Sequence, residues 1–92
     1  MRAPPGSPRV LSKRDGMPAG AVYVGRPSRF GNPFVIGRHG DRDAVVARFE
    51  AWLLANPALL AAAQAELRGK DLVCWCAPEA CHADVLLRLA NA

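Results

Sequence analysis

The sequence has no long apolar run and no internal repeat, and each absence excludes a class of protein. Its apolar stretches are far shorter than the ~20 residues that span a bilayer, so no membrane partner is expected. The basic first ten residues lack the apolar core of a secretory signal, which predicts a cytoplasmic protein. A chain of 92 residues can bury one modest core and should form one domain.

Acidic residues are scarce, but only in the first half of the chain. Residues 1–48 carry nine Arg or Lys against three Asp, a net charge of +6, whereas residues 49–92 carry a net charge of −2. A basic segment favours an anionic partner, either a nucleotide-like small molecule or a nucleic acid. An arginine-rich solvated surface would produce the same pattern.

The predicted elements follow one another in the order β-β-α-α-β-α. Apolar runs between turn residues predict strands at 9–13, 21–26 and 71–76, and helix periodicity predicts helices from Asp41, from Pro57 and from about Glu79. The third strand is apolar nearly throughout, as in strands buried on both faces. This predicts a small single α/β domain with a short, mostly parallel sheet and helices packed on it. We assign residues 1–19 to a leader that could contain a short edge strand, and residues 20–92 to the domain.

The helix boundaries carry recognisable signals. Asp41 is a typical N-cap, and Asn56 followed by Pro57 is a typical restart, because proline at the first helical position loses no hydrogen bond. Gly69 is suited to the left-handed residue after a helix end. The predicted buried stripe of the first helix is Val45, Val46, Phe49, Trp52 and Leu53.

Cysteine and histidine are rare, yet all three cysteines and one of the two histidines lie within nine positions. The predicted metal ligands are Cys74, Cys76, Cys81 and His82. Cytoplasmic thiols stay reduced, which favours metal binding or catalysis over a disulfide. Alternation along a strand places Cys74 and Cys76 on one face, and a turn after Cys76 could bring the other two ligands to them. Zinc is the candidate metal, although C-x-C-x₄-C-H departs from the usual spacing and a three-ligand site with an open position is a second form.

Two other interpretations of this cluster stay open. At a helix start Cys81 could be a stabilised thiolate nucleophile, with His82 and Asp84 transferring protons and Cys74 or Cys76 acting as a resolving thiol. Alternatively, Cys74 and Cys76 could be small buried hydrophobes, with His82 capping its helix.

The loop after the second strand combines groups that bind anions and rings. Arginine forks bind phosphate or carboxylate, amides read base edges or sugars, and aromatic rings stack on bases. The predicted ligand-binding residues are Tyr23, Arg26, Ser28, Arg29, Phe30, Gly31 and Asn32. The alternative is a well-specified turn with surface arginines and core phenylalanines.

Two stretches, R-P-S-R-F-G-N-P-F at 26–34 and C-W-C-A-P-E-A-C-H-A-D at 74–84, resemble in sequence and order a bacterial and phage family. This family is catalogued as domain of unknown function 4326, and the resemblance covers about residues 20–91. It implies no settled activity, but it implies that the site draws on both stretches, Pro33 included. Phe30 stands where the family also has Trp, a mild change for a ring that stacks or packs.

Two functions follow as hypotheses. The first is a small cytoplasmic enzyme-like domain that binds or acts on a nucleotide, nucleoside or nucleic-acid base, as a hydrolase or transferase with a Cys nucleophile or a metal. The second is a non-catalytic nucleic-acid-binding module with a structural zinc or a packed cysteine cluster. Both require the loop and the cluster to meet in space, and the protein could be a monomer or a homodimer.

Overall fold

Three short parallel strands form one sheet, in the order β1-β3-β2. The strands are β1 (Val10–Ser12), β2 (Val22–Tyr23) and β3 (Leu72–Cys74). β3 lies in the centre and is buried along its whole length, as its apolar sequence predicts. This computed structural model describes residues 8–76 and 79–92. Residues 1–7 of the predicted leader and Pro78 in the predicted turn lie outside the described residues.

Three α-helices of the described residues complete the predicted order β-β-α-α-β-α, and a short 3-10 helix, Lys13–Asp15, follows β1. The α-helices are α1 (Arg42–Leu54), α2 (Pro57–Leu67) and α3 (His82–Ala90). α3 packs against both other helices and β3, and the core lies between these elements. The small parallel α/β domain is thus confirmed. Among the described helices, none alone is long and apolar enough to cross a membrane. Taken together, α1 and α2 have the length and composition of a membrane-spanning segment, but the chain bends by 100° between them.

The predicted helix signals hold, with one exception. The Asp41 carboxylate accepts the Ala44 N–H at 2.9 Å, so Asp41 caps α1, and Gly69 has the left-handed φ of 76°. Pro57 is the first residue of α2, but the Asn56 side chain makes no cap bond and donates instead to the Trp52 carbonyl at 2.6 Å. In the predicted stripe of α1, three side chains are buried and two are partly buried: Val45, Phe49 and Leu53, then Val46 and Trp52.

Two predicted boundaries around the cysteines were wrong. β3 ends at Cys74 rather than at residue 76, because the chain bends at the next two residues. α3 begins at His82, three residues later than predicted. Cys81 has an extended backbone, with φ −149° and ψ 155°, and the Asp84 carboxylate accepts its N–H at 2.9 Å. This cap fixes the helix start after Cys81.

Candidate functional site: a three-cysteine cluster in a cleft

The three cysteine sulfurs converge. The Sγ atoms of Cys74, Cys76 and Cys81 all lie within 4.8 Å of one another, and none of the three forms a disulfide. Cys74 and Cys81 are almost fully buried, with 1% and 2% of their surface exposed, and their sulfurs lie 2.8 Å apart. Cys76 is half-buried. The cluster is therefore close enough to bind a metal ion, and thiolates suit a soft or borderline cation such as zinc.

A bend and a helix cap bring the sulfurs together. Cys74 is the last residue of β3, and Cys76 follows within the bend. The predicted alternation of Cys74 and Cys76 along a continuing strand is therefore not the cause of their proximity. Cys81 reaches the other two as the N-cap of α3, where its backbone is still extended.

The surroundings of Cys81 oppose a bare thiolate. Its hydrogen bond with Cys74 and its burial raise the pKa of the Cys81 thiol, while the Ala83 N–H opposes this rise. A buried thiol with a raised pKa is a weak nucleophile, which disfavours the predicted catalytic role of Cys81. A bound cation would reverse this preference, because a coordinating thiol loses its proton to the metal.

His82 links the cluster to the chain just after β2. Only 7% of its surface is exposed, and its ring stands edge-on to Phe49 with centroids 5.0 Å apart. Nε2 lies 2.8 Å from the Val24 carbonyl oxygen, and Nδ1 lies 3.4 Å from the Cys81 sulfur. Burial and, less strongly, the nearby Arg26 charge lower the pKa of His82. The neutral ring has one N–H, and the carbonyl can only accept, so Nε2 carries the proton and Nδ1 is an acceptor.

Asp84 has a different place from the one predicted. Its exposed carboxylate accepts the Cys81 backbone N–H and makes no hydrogen bond with His82. It holds the start of α3, which is the ordinary role of an acidic residue in a capping box. The proton-transfer role of Asp84 therefore has no hydrogen bond to the imidazole to support it, and the carboxylate acts on His82 only through its charge, which opposes the fall in the pKa of the ring.

The cluster and the loop line one cleft of about 350 Å³. The cleft lies beyond the carboxyl ends of β2 and β3, where α/β sheets place their ligands. The lining residues come from the loop after β2, the start of α1, the bend after β3 and the start of α3: Tyr23, Gly25, Arg26, Asn32, Phe34, Val35, Ile36, Arg42, Val45, Val46, Cys74, Trp75, Cys76, Ala80, Cys81 and His82. The spatial condition that both hypotheses share is therefore met.

A family model described as a domain of unknown function, DUF4326, matches residues 10–92. The chain belongs to this family. No curated protein and no solved structure is significantly similar to it. The two stretches that carry the resemblance contribute the loop and the cysteine walls of the cleft in this DUF4326 domain.

Three of the predicted loop residues line the cleft, but two of them are already bonded to the backbone. The Tyr23 hydroxyl donates to the Arg26 carbonyl at 2.8 Å. The Asn32 amide donates to the Val45 carbonyl at 3.2 Å and accepts the Phe34 N–H at 2.9 Å, so it fastens the loop to α1. The Arg26 guanidinium is exposed and makes no hydrogen bond or ion pair with the described part of the chain.

The other four predicted loop residues lie outside the cleft lining. Arg29 pairs with Glu66 of α2, and its guanidinium lies over the ring of Phe30, which is buried in the core. A Cβ at Gly31 would lie 3.1 Å from atoms of Arg26 and Ser28, so this glycine permits close packing within the loop. The Ser28 hydroxyl is buried without a hydrogen-bond partner in the described residues. Their placement favours the alternative of a well-specified turn for this part of the loop.

Among the cleft residues that were not predicted, Arg42 and Trp75 have side chains suited to binding a ligand. Arg42, in the first turn of α1, reaches across to the cysteine junction and contacts Glu79 and the Ala80 carbonyl, at 3.1 and 3.2 Å. A hydrogen bond with Cys76 raises the pKa of Arg42, and the Glu79 charge adds to this rise. Trp75 is 51% exposed at the cleft because β3 ends before it. Only Trp75 had a sequence signal, a large aromatic residue between two cysteines.

Proposed function

We propose that this DUF4326 domain binds an anionic, ring-bearing small molecule of the nucleotide class in its cleft, with zinc held by the three cysteines at one wall. The observation that carries the proposal is that an arginine without a partner among the described residues, an exposed tryptophan and the cysteine cluster all line the same cleft. Pockets for small molecules combine apolar walls with a few converging polar groups.

Arginines supply the anion-binding end. The Arg26 guanidinium has no acidic partner among the described residues, so all its donors are available to a phosphate or carboxylate. Arg42 shares its charge with Glu79 and would contribute a weaker, second contact. No Asp or Glu of the described chain lines the cleft.

Exposed apolar side chains supply the ring-binding end. Trp75 and Ile36 are 51% and 49% exposed, although side chains of their size are usually buried in a domain. An indole face stacks on a planar base, and a branched aliphatic side chain packs against its other face or edge. Phe34 and Val35 extend this apolar lining.

Zinc at the cysteines explains why the sulfurs converge where a bare thiolate is disfavoured. Binding to zinc accounts for all three cysteines without a catalytic role for Cys81. We therefore propose ligand binding rather than turnover through a cysteine intermediate. Reduced thiols also suit the cytoplasm, which we include in the proposal.

The cleft favours a small ligand over a nucleic acid. Several arginines of the basic first half have acidic partners: Arg9 with Asp71, Arg29 with Glu66 and Arg42 with Glu79. A nucleic-acid surface needs several unpaired cations in a row, because its affinity comes mainly from phosphate contacts.

Amide NMR spectra recorded during titration with adenosine monophosphate, adenosine and inorganic phosphate test the proposal. We expect shifts of the Trp75 indole and of the Arg26 amide, with tighter binding of the monophosphate than of either fragment. Arg26→Ala should weaken binding about tenfold or more, which is a loss of about 1.4 kcal/mol. Arg29→Ala removes the same charge from the same loop outside the cleft and should leave the affinity unchanged.

Equal effects of the two arginine variants would contradict the cleft as the binding site. Binding to single-stranded DNA or RNA that weakens steeply with salt, without any response to the monophosphate, would instead support the nucleic-acid-binding alternative.

A further inference from the structure

We infer that His82 supplies the fourth ligand of the metal through Nδ1, so that the centre is a closed Cys₃His site and the cleft ligand does not touch the ion. This inference rests on the metal site of the proposed function. It decides between the two forms of zinc site that the sequence leaves open, a closed one and one with an exchangeable position.

The hydrogen bond of the imidazole decides which of its nitrogens carries the proton. Nε2 lies 2.8 Å from the Val24 carbonyl, which can only accept a hydrogen bond, so the proton of the neutral ring is on Nε2. Nδ1 then carries a lone pair, and it faces the Cys81 sulfur at 3.4 Å inside the protein.

The partner of the Nδ1 lone pair depends on whether Cys81 carries its proton. Without a metal, the Cys81 thiol can donate its proton to Nδ1. When Cys81 binds a metal as a thiolate, this proton is gone, and Nδ1 would be a buried acceptor beside a sulfur that also has only lone pairs. Buried acceptors are rarely left without a partner, and coordination to the same metal gives Nδ1 one.

The distance between Nδ1 and the Cys81 sulfur suits two ligands of one metal ion. A nitrogen and a sulfur bound to one tetrahedral zinc lie about 3.6 Å apart, close to the 3.4 Å between Nδ1 and the Cys81 sulfur. The three sulfurs form their group without the imidazole nitrogen, so closing the tetrahedron requires a side-chain adjustment. The Val24 carbonyl already holds the opposite ring nitrogen, which is the usual second contact of a histidine that binds a metal.

Cobalt substitution tests the coordination number directly. The metal-depleted protein is loaded with Co²⁺, and its visible absorption bands are recorded before and after addition of azide or free imidazole. A closed site in the wild-type chain should give tetrahedral bands that do not change with either addition. Zinc affinity is measured in parallel by competition with a chromophoric chelator.

His82→Ala should open the site. We expect its zinc affinity to fall by at least about tenfold, because even the loss of a group that hydrogen-bonds to a metal ligand has an effect of this size. Its cobalt bands should respond to added imidazole. His39→Ala is the matched control, because it removes the only other imidazole, which accepts the Val35 N–H outside the cleft. It should keep the wild-type affinity and bands.

Wild-type bands that shift with azide or imidazole would overturn the inference, and this readout needs no variant to fold. An unchanged zinc affinity in His82→Ala would overturn it as well. A wild-type chain that takes up neither cobalt nor zinc would overturn it together with the proposed metal site, whereas ligand binding by Arg26 and Trp75 is measured separately and could still hold.

Discussion

The two walls of the cleft use their polar side chains in different ways. In the loop wall, residues 25–36, Asn32 bonds to backbone groups and Arg29 pairs with α2, so these side chains hold the loop itself. In the junction wall, residues 74–76 and 79–84, the cysteine sulfurs converge on one another, and His82 and Arg42 contact the cluster from outside. Both walls are rich in residues that could bind a ligand, and only their contacts distinguish the two uses.

The difference indicates where chemistry can occur. A side chain that is bonded to the backbone or paired across the fold contributes shape to the cleft, whereas an exposed group or a set of converging metal ligands is available to a ligand or an ion. By this criterion the loop offers chiefly Arg26, and the junction offers its sulfurs and the exposed face of Trp75. Substitutions in each wall should therefore distinguish residues that hold the fold from residues that bind a ligand or a metal.

Metal removal should give the largest effect on the free energy of unfolding, and this effect should depend on the cysteines of the junction wall. If free zinc stands about a thousandfold above its dissociation constant, chelation should lower the free energy of unfolding by about 4 kcal/mol. Cys76→Ser should abolish this response, because it removes one of three converging sulfurs. Thermal unfolding with and without chelator measures both. A chelator effect of equal size in Cys76→Ser would show that the metal binds elsewhere.

Asn32→Ala should have the next largest effect, on stability. It leaves the Val45 carbonyl and the Phe34 N–H without their partner, which should cost about 2 kcal/mol in urea unfolding. Ser28→Ala is the contrast within the same loop, since its buried hydroxyl has no partner in the described chain and its loss should be neutral or stabilising. If Asn32→Ala kept full stability but lost ligand binding, the loop would be site rather than scaffold.

The smallest effect should appear in the pH dependence of the metal-free protein. Burial lowers the pKa of His82, so the unfolded chain takes up this proton first as the pH falls. Stability should therefore decline below about pH 6.5, by at most about 1.4 kcal/mol per pH unit from this residue. His82→Gln should show a shallower decline in urea unfolding between neutral and mildly acidic pH. Identical slopes would mean that the imidazole is not held neutral.

The fold was largely readable from the sequence because its signals are local. Asp41 caps α1, Pro57 opens α2 and Gly69 follows the end of α2 as predicted, and the buried β3 follows from its apolar run. These features depend on neighbours a few residues away.

The site was only partly readable, since its contacts join residues distant in the chain. Arg42 reaches Ala80, 38 residues away, and no local pattern predicts that contact. Phe30 and Ser28 have the residue types of a ligand loop, but packing places one in the core and buries the hydroxyl of the other. The wrong end of β3 also hid Trp75, because the predicted strand ran to residue 76 and was expected to be buried on both faces.

The most direct test of the account is native mass spectrometry of the untagged protein, since its central claim is a metal centre at the junction wall of the cleft. We expect one zinc ion for each chain, with all three cysteines protected from alkylation until the metal is removed. A metal-free mass after expression with ample zinc, with at least one cysteine alkylated at once, would contradict it.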